Sequence, residues 1–344
     1  MLSSGVSQLR RLSHRIRNIV APGALVLLYH RVAEVDSDPW SLCVTPQHFA
    51  EHLQVLGQHG HPAQLKELTE ALQAGNRSPG STTITFDDGY ADNLHIAKPL
   101  LERYDTPATV FVVTGYVDQG REFWWDELER LLLQPGTLPE SLCLQINGRS
   151  FQWQLGESAH YSDSDYERHL GWRAGPDGPT PRHSLYYAVW KALSPLRDEE
   201  RRRLLDQLVA WSGTEPACRP THRQVSSGEL NALGQGGLIE VGSHTVTHPF
   251  LSALPVSSQR DELQRSKAEL EEILGYSVRS FAYPHGSYST DTLPIVRETG
   301  FSCACSSVVD MVRPRTDRFQ LPRMVVQDWN GEEFSRQLST WFRT

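Results

Sequence analysis

Two aspartates stand side by side in "TITFDDGYADN", residues 83–93, where a short apolar run stops. Adjacent carboxylates repel and shift each other's pKa, so Asp87 and Asp88 call for a compensating partner, and a bound cation is the first candidate. A second stretch, "SHTVTHPF", carries His244 and His248 four residues apart, with Pro249 directly after. Proline disfavours helix at the residue before it and suits the first helical position. A turn leading into a helix is therefore expected here, with both imidazoles able to converge. Two imidazoles and one carboxylate make a three-ligand site with open positions, which suits catalytic Zn²⁺ or Fe²⁺. If one aspartate binds the metal, the other stays ionised beside a metal-bound water of lowered pKa and is placed to act as general base. The competing reading is that the two aspartates only cap a helix and form a turn with Gly89.

The elements that must position these groups are short apolar runs alternating with amphipathic stretches. Strand-like runs are "ALVLLYH" (24–30), "TTITFDD" (82–88), "ATVFVVTG" (108–115), "LIEVGSH" (238–244), "SFAYP" (280–284) and "FSCACSS" (301–307). Helix-like stretches such as "PQHFAEHLQVLGQHG" and "QRDELQRSKAELEEILG" lie between them, and Gly60, Gly75, Gly275 and Gly300 sit where helix C-caps belong. Strands buried on both faces and alternating with helices predict a parallel sheet covered by helices, either a β/α barrel or an open doubly wound sheet. Polar groups gather where the runs stop: His30, Asp87 and Asp88, Ser243 and His244, Tyr283 and His285. In such folds the active site forms at the carboxyl ends of the strands. Residues 121–226 break the rhythm and predict a largely helical insertion that does not fold alone.

The 344-residue chain has a formal charge of −8, which gives no reason to expect nucleic acid as a partner. Its five cysteines are odd in number and scattered, unlike a disulfide framework. Cys303 and Cys305 would face one side of a strand as small core residues. Residues 1–23 carry Arg10, Arg11, Arg15 and Arg17 among Leu9, Leu12, Ile16 and Ile19, without the apolar region of a secretory signal. As a basic amphipathic helix this segment is either solvated or in peripheral membrane contact through residues 9–19. A cytoplasmic, membrane-peripheral place is the expectation.

"TFDDGY", "SHTVTH" and "FAYPHG", in that order, resemble the motifs of the polysaccharide deacetylase family, carbohydrate esterase family four. The resemblance runs from about Leu25 to the C-terminus apart from the insertion, and "VLLYHRV" and "RFQLPRMVV" resemble the branch acting in bacterial surface-polysaccharide biosynthesis. It implies an α/β fold, a distorted (β/α) barrel of about seven parallel strands over residues 24–344. It also implies a metal-dependent hydrolase that removes N-acetyl groups from amino sugars of a surface polysaccharide or its lipid- or nucleotide-linked precursor. By motif position Asp87 is the base, and Asp88, His244 and His248 hold one divalent metal, Zn²⁺ first, with Co²⁺, Fe²⁺ or Ni²⁺ as alternatives. His285, through its backbone N–H, and with it Tyr283 and Tyr90, would serve substrate or oxyanion. The family's arginine is absent, since Ala282 stands in its place, and Arg323 in "LPRM" is the substitute partner for the base. No histidine follows His285, so the acid falls to His30. Trp124 and Trp125 either anchor the insertion or stack a sugar ring. A deformylase, an O-acetyl esterase and an inactive carbohydrate-binding homologue are the alternatives.

Overall fold

The computed structural model describes residues 23–59, 61–76 and 80–343. Gly60 and the basic segment with residues 9–19 lie outside them. Seven strands form the core: β1 (Leu25–Tyr29), β2 (Ser81–Phe86), β3 (Ala108–Val112), β4 (Ile239–Ser243), β5 (Ser280–Ala282), β6 (Cys303–Cys305) and β7 (Met324–Val325). They pair in the order β6-β5-β4-β3-β2-β1-β7, every pair parallel. A bridge from Cys305 to Leu321 draws the two edges towards each other, and the sheet curls into a distorted (β/α) barrel. No described helix is long and apolar enough to cross a membrane.

The period-2 alternation of strands divides the side chains into two sets. Leu25, Leu27, Tyr29, Ile84, Phe86, Val110, Val112, Val241, Phe281 and Tyr283 join the core under the helices, including α1 (Pro46–His59) and the helix Val256–Leu274. Their neighbours of opposite parity, among them Val26, Phe111, Ala282, Cys303 and Cys305, form a separate small cluster on the barrel's inner side. That inner side is narrow. A Cβ on Gly242 would meet the Phe111 ring at 2.5 Å and Ser280 Oγ at 2.6 Å. Cys303 and Cys305 are buried and unbridged.

Residues 121–226 hold four helices, α4 (Trp124–Leu132), α5 (Asp163–His169), α6 (Pro181–Leu193) and α7 (Asp198–Ser212), with α2 (Leu65–Gln73) and α3 (Lys98–Arg103) preceding them. They also hold a β-hairpin, Ser141–Ile146 against Arg149–Gln154, absent from the sequence reading. Leu128, Leu132, Leu185, Val189 and Leu204 build a second apolar core here, and it continues into Tyr90, Val113 and Tyr116 of the barrel. Insertion and barrel therefore share a core.

Candidate active site

Strand register sets the site. Tyr29 pairs with Phe86 and Ser243 with both Val112 and Phe281. The residues that follow, His30, Asp87, His244 and Ala282–Tyr283, thus emerge at one end of the barrel. Asp87 follows the inner parity of Thr83 and Thr85, and His244 that of Gly242. Both point inward.

The two adjacent aspartates sit in different surroundings. Arg323 is fully buried and clamps Asp87 in a fork: Nη1 donates to Oδ1 and Nη2 to Oδ2, each at 2.7 Å. Its Nε donates to the Ser306 carbonyl at 2.8 Å, which fixes the fork's plane. Burial alone would raise the Asp87 pKa, but the Arg323 charge, with a smaller contribution from His244, overrides it and holds the group at about 2. Asp88 has a left-handed backbone (φ 74°), and its carboxyl pKa is pushed well up by burial and by Asp87. Asp88 Oδ1 is buried without a hydrogen-bond partner.

His244 Nδ1 lies 2.8 Å from the Ala282 carbonyl. A carbonyl only accepts, so Nδ1 carries the proton and the Nε2 lone pair faces the aspartates, 3.6 Å from Asp88 Oδ1. His248 Nε2 lies 3.3 Å from the same oxygen. Burial lowers the pKa of both imidazoles, His244 to about 4. Asp88, His244 and His248 offer donor atoms all within 4.8 Å of one another. Zn²⁺ bonded at about 2.0–2.2 Å in tetrahedral geometry separates its ligand atoms by roughly 3.3 Å. Buried neutral imidazoles, a carboxylate oxygen without a partner and this spacing fit a divalent metal.

Two loops carry these ligands, and each is held by groups the sequence reading did not single out. Gln224 Nε2 donates to the Asp88 carbonyl at 2.6 Å, and Val225 N–H donates to the Gly89 carbonyl at 3.1 Å. Glu262, on the long helix after the His pair, accepts from the N–H groups of Val246 and Thr247 and from the Thr247 hydroxyl, at 2.7–2.9 Å. Glu262 was hidden among the many acidic residues of an amphipathic helix. Pro249 does not open a helix as expected, because the helix starts only at Val256, after Pro255.

The remaining expected residues divide. His30 is half-buried at the end of β1, and burial lowers its pKa against the opposing charge of Asp87. His285 is exposed at the rim, T-shaped to His248 at 4.4 Å and stacked on Phe250 at 4.0 Å. Its backbone N–H takes no part in the hydrogen bonds of its turn, which run from Gly286 to Tyr283 and from Ser287 to Pro284. Tyr283 and Tyr90 require correction, because neither side chain is open to a substrate. Tyr283 has the parity of Phe281, packs under the helices and donates its hydroxyl to the Phe319 carbonyl at 2.8 Å. Tyr90 is fully buried; its hydroxyl donates to Asp126 at 2.6 Å and accepts from Trp125 Nε1 at 2.9 Å. Trp124 is buried within the insertion, whereas Trp125 packs against His248 at 4.9 Å.

An aspartate held by a buried arginine stands beside a carboxylate–imidazole–imidazole donor set at the strand ends of a β/α barrel, an arrangement whose donor types fit hydrolase chemistry on a divalent metal. The polysaccharide deacetylase family profile matches residues 74–136 and 218–304, the segments that bring both aspartates, both histidines and Tyr283–His285. Over these two segments, which make up less than half of its length, the chain is similar to that family. It is 27% identical over 139 residues to the protein YxkH of Bacillus subtilis, covering 39% of this chain and 48% of that one. It is 25% identical over 125 residues to the poly-β-1,6-N-acetyl-D-glucosamine N-deacetylase of Staphylococcus aureus, covering 34% and 42%. The matched parts thus span about half the length of these curated relatives. Among solved structures, IcaB from Ammonifex degensii superposes with a TM-score of 0.58 at 20% identity, over 94% of this chain and 98% of that one. The Streptococcus pyogenes deacetylase PplD gives 0.58 at 17% identity, over 92% and 99%. Both share the fold.

Proposed function

We propose that this protein is a metal-dependent N-deacetylase acting on N-acetylated amino sugars of a surface polysaccharide or its lipid- or nucleotide-linked precursor. The observation that carries the proposal is the buried Asp88–His244–His248 set directly beside the Arg323-clamped Asp87. The N-deacetylase activity in the name of the S. aureus relative supports the substrate class. Asp88, His244 and His248 would hold the metal, with Zn²⁺ favoured by the donor types over Co²⁺, Fe²⁺ or Ni²⁺. A dication there supplies a Lewis acid for the amide carbonyl and lowers the pKa of a water. Asp87 stays ionised and aligned by its fork, and takes a proton from the attacking water. The His285 N–H donates to the oxygen that gains charge as water adds to the carbonyl. His30 enters protonated and gives its proton to the amine nitrogen as the C–N bond breaks, and the proton taken by Asp87 then restores it, so that amide plus water gives amine plus acetic acid.

A cytoplasmic, membrane-peripheral place is part of the proposal, and recovery of the protein from the periplasm would overturn that part. The deciding assay is acetate release from β-1,4- and β-1,6-linked N-acetylglucosamine oligomers after chelation and return of Zn²⁺. Release that needs the metal is expected, and none with any of the four metals would refute the activity. N-formyl and O-acetyl sugars run beside them identify the acyl group.

A further inference from the structure

The family profile leaves out residues 137–217. Even so, one side chain from that span reaches a metal-ligand loop. Arg201, on α7, is buried with 1% of its surface exposed. Its Nη2 donates to the Thr247 carbonyl at 2.9 Å and lies 3.3 Å from Asp198 Oδ1. The guanidinium stands 5.2 Å over the Trp124 ring, and the next residue, Trp125, packs on His248.

The Thr247 carbonyl belongs to the planar peptide that leads into His248. Whatever fixes that oxygen fixes the plane from which the His248 backbone turns. This matters because Thr245 and His248 both hold left-handed backbones, φ 69° and 55°, which side chains of these types rarely adopt and which persist only where their surroundings impose them. Glu262 holds the N–H side of Thr247 and Arg201 holds its C=O side. Arg201 Nε and Nη1 have no acceptor among the described residues, so its hydrogen bonding is confined to Asp198 and Thr247. A methionine would keep the unbranched stem of the side chain and end short of the guanidinium position over Trp124. What the arginine adds is the donor to Thr247.

We infer that Arg201 is a positioning residue for His248: the insertion reaches into the barrel to hold one metal ligand in its strained backbone conformation. The inference rests on the proposed metal site. It extends that reading to a residue outside the segments matched by the family.

The test compares wild type, Arg201→Met, Arg201→Lys and, as a control, Arg182→Met. Arg182 is another buried arginine of the insertion; it donates to the Gly136 carbonyl at 3.1 Å and stands 5.1 Å over Tyr161. Zn²⁺ affinity is read by competition with a chelator, ligand geometry by the Co²⁺ absorption spectrum, and stability by the thermal midpoint of metal-free protein. Arg201→Met is expected to lose about 10- to 100-fold in Zn²⁺ affinity, as is typical when a group orienting a ligand is removed, with a changed Co²⁺ spectrum. Arg201→Lys recovers part of the affinity. Arg182→Met lowers the midpoint and leaves affinity and spectrum as in wild type. Wild-type affinity in Arg201→Met, or an equal loss in Arg182→Met, overturns the inference. Should Arg201→Met not fold, Arg201→Lys decides: a changed spectrum at an unchanged midpoint supports the inference, and an unchanged spectrum overturns it. Failure of wild type itself to bind Zn²⁺ or Co²⁺ removes the metal site and this inference together, whereas binding that Arg201→Met leaves intact removes only the inference.

Discussion

Replacing Arg323 with methionine is the perturbation whose cost follows most directly from the geometry. The substitution keeps an unbranched apolar stem and removes both donors to Asp87, leaving a carboxylate with 4% of its surface exposed and no counter-charge. Breaking a buried ion pair from one side costs about 3–5 kcal/mol. Asp87→Asn strands Arg323 in turn, less severely, because the Ser306 carbonyl and Thr85 hydroxyl still accept from it. The double variant buries no charge at this place, and its residual cost is that of an amide with unmade hydrogen bonds, about 1–3 kcal/mol. The double variant should therefore be more stable than Arg323→Met alone, with a coupling energy of about 3–5 kcal/mol between the two sites. Urea denaturation of the four metal-free proteins measures it, metal being left out because binding would add its own stabilisation. Additive effects, with coupling below about 0.5 kcal/mol, would refute the claim that these two residues form one buried unit.

Three further outcomes follow from the same geometry. Asp87→Asn should keep its metal and lose about 10²- to 10⁴-fold in acetate release, measured beside elemental analysis; retained turnover would take the base role from Asp87. His52 is fully buried, donates from Nε2 to the Trp329 carbonyl and accepts at Nδ1 from the Tyr29 hydroxyl, and burial lowers its pKa from 6.5 to about 4. Between those values the unfolded chain binds a proton that the folded one refuses, so stability falls as pH falls, by about 2 kcal/mol from pH 7.5 to 5. Other buried histidines, His244 among them, add the same loss to both proteins, so denaturation at both pH values should show a loss about 2 kcal/mol smaller in His52→Gln than in wild type, and equal losses would refute it. In Gly115→Ala the new methyl would collide with the Val246 carbonyl oxygen in the His248 loop. That should cost about 1–3 kcal/mol and weaken Zn²⁺ binding, and no change in either would show that the loop gives way freely.

Much of this was legible in the sequence because strands announce themselves by apolar runs and the site lies where those runs stop. Asp87, Asp88, His244 and His248 were found that way, and Arg323 by asking what could hold the base once Ala282 stood in the family's arginine position. The same alternation, applied one residue further, would have excluded Tyr283: counting by twos from Phe281 turns it away from the inner side. The hairpin in the insertion was also readable. "SLCLQI" alternates buried and exposed residues, and Asn147–Gly148 at its end, both with positive φ, is the strongest short hairpin signal. Half of this strand's residues face solvent, so it lacks the long apolar runs that mark the barrel strands. Gln224, Glu262 and Arg201 carried no such signal. Each acts on a backbone atom far away in sequence, and nothing in local residue types encodes that distance.

The central claim is that Asp88, His244 and His248 form one metal site. Elemental analysis of the purified protein beside His244→Ala and Asp88→Ala, all reconstituted with Zn²⁺, tests it most directly. The account predicts about one metal per chain in wild type and little in either variant, since removing a ligand removes affinity. Wild type without metal, or variants that hold it as well as wild type, would contradict it.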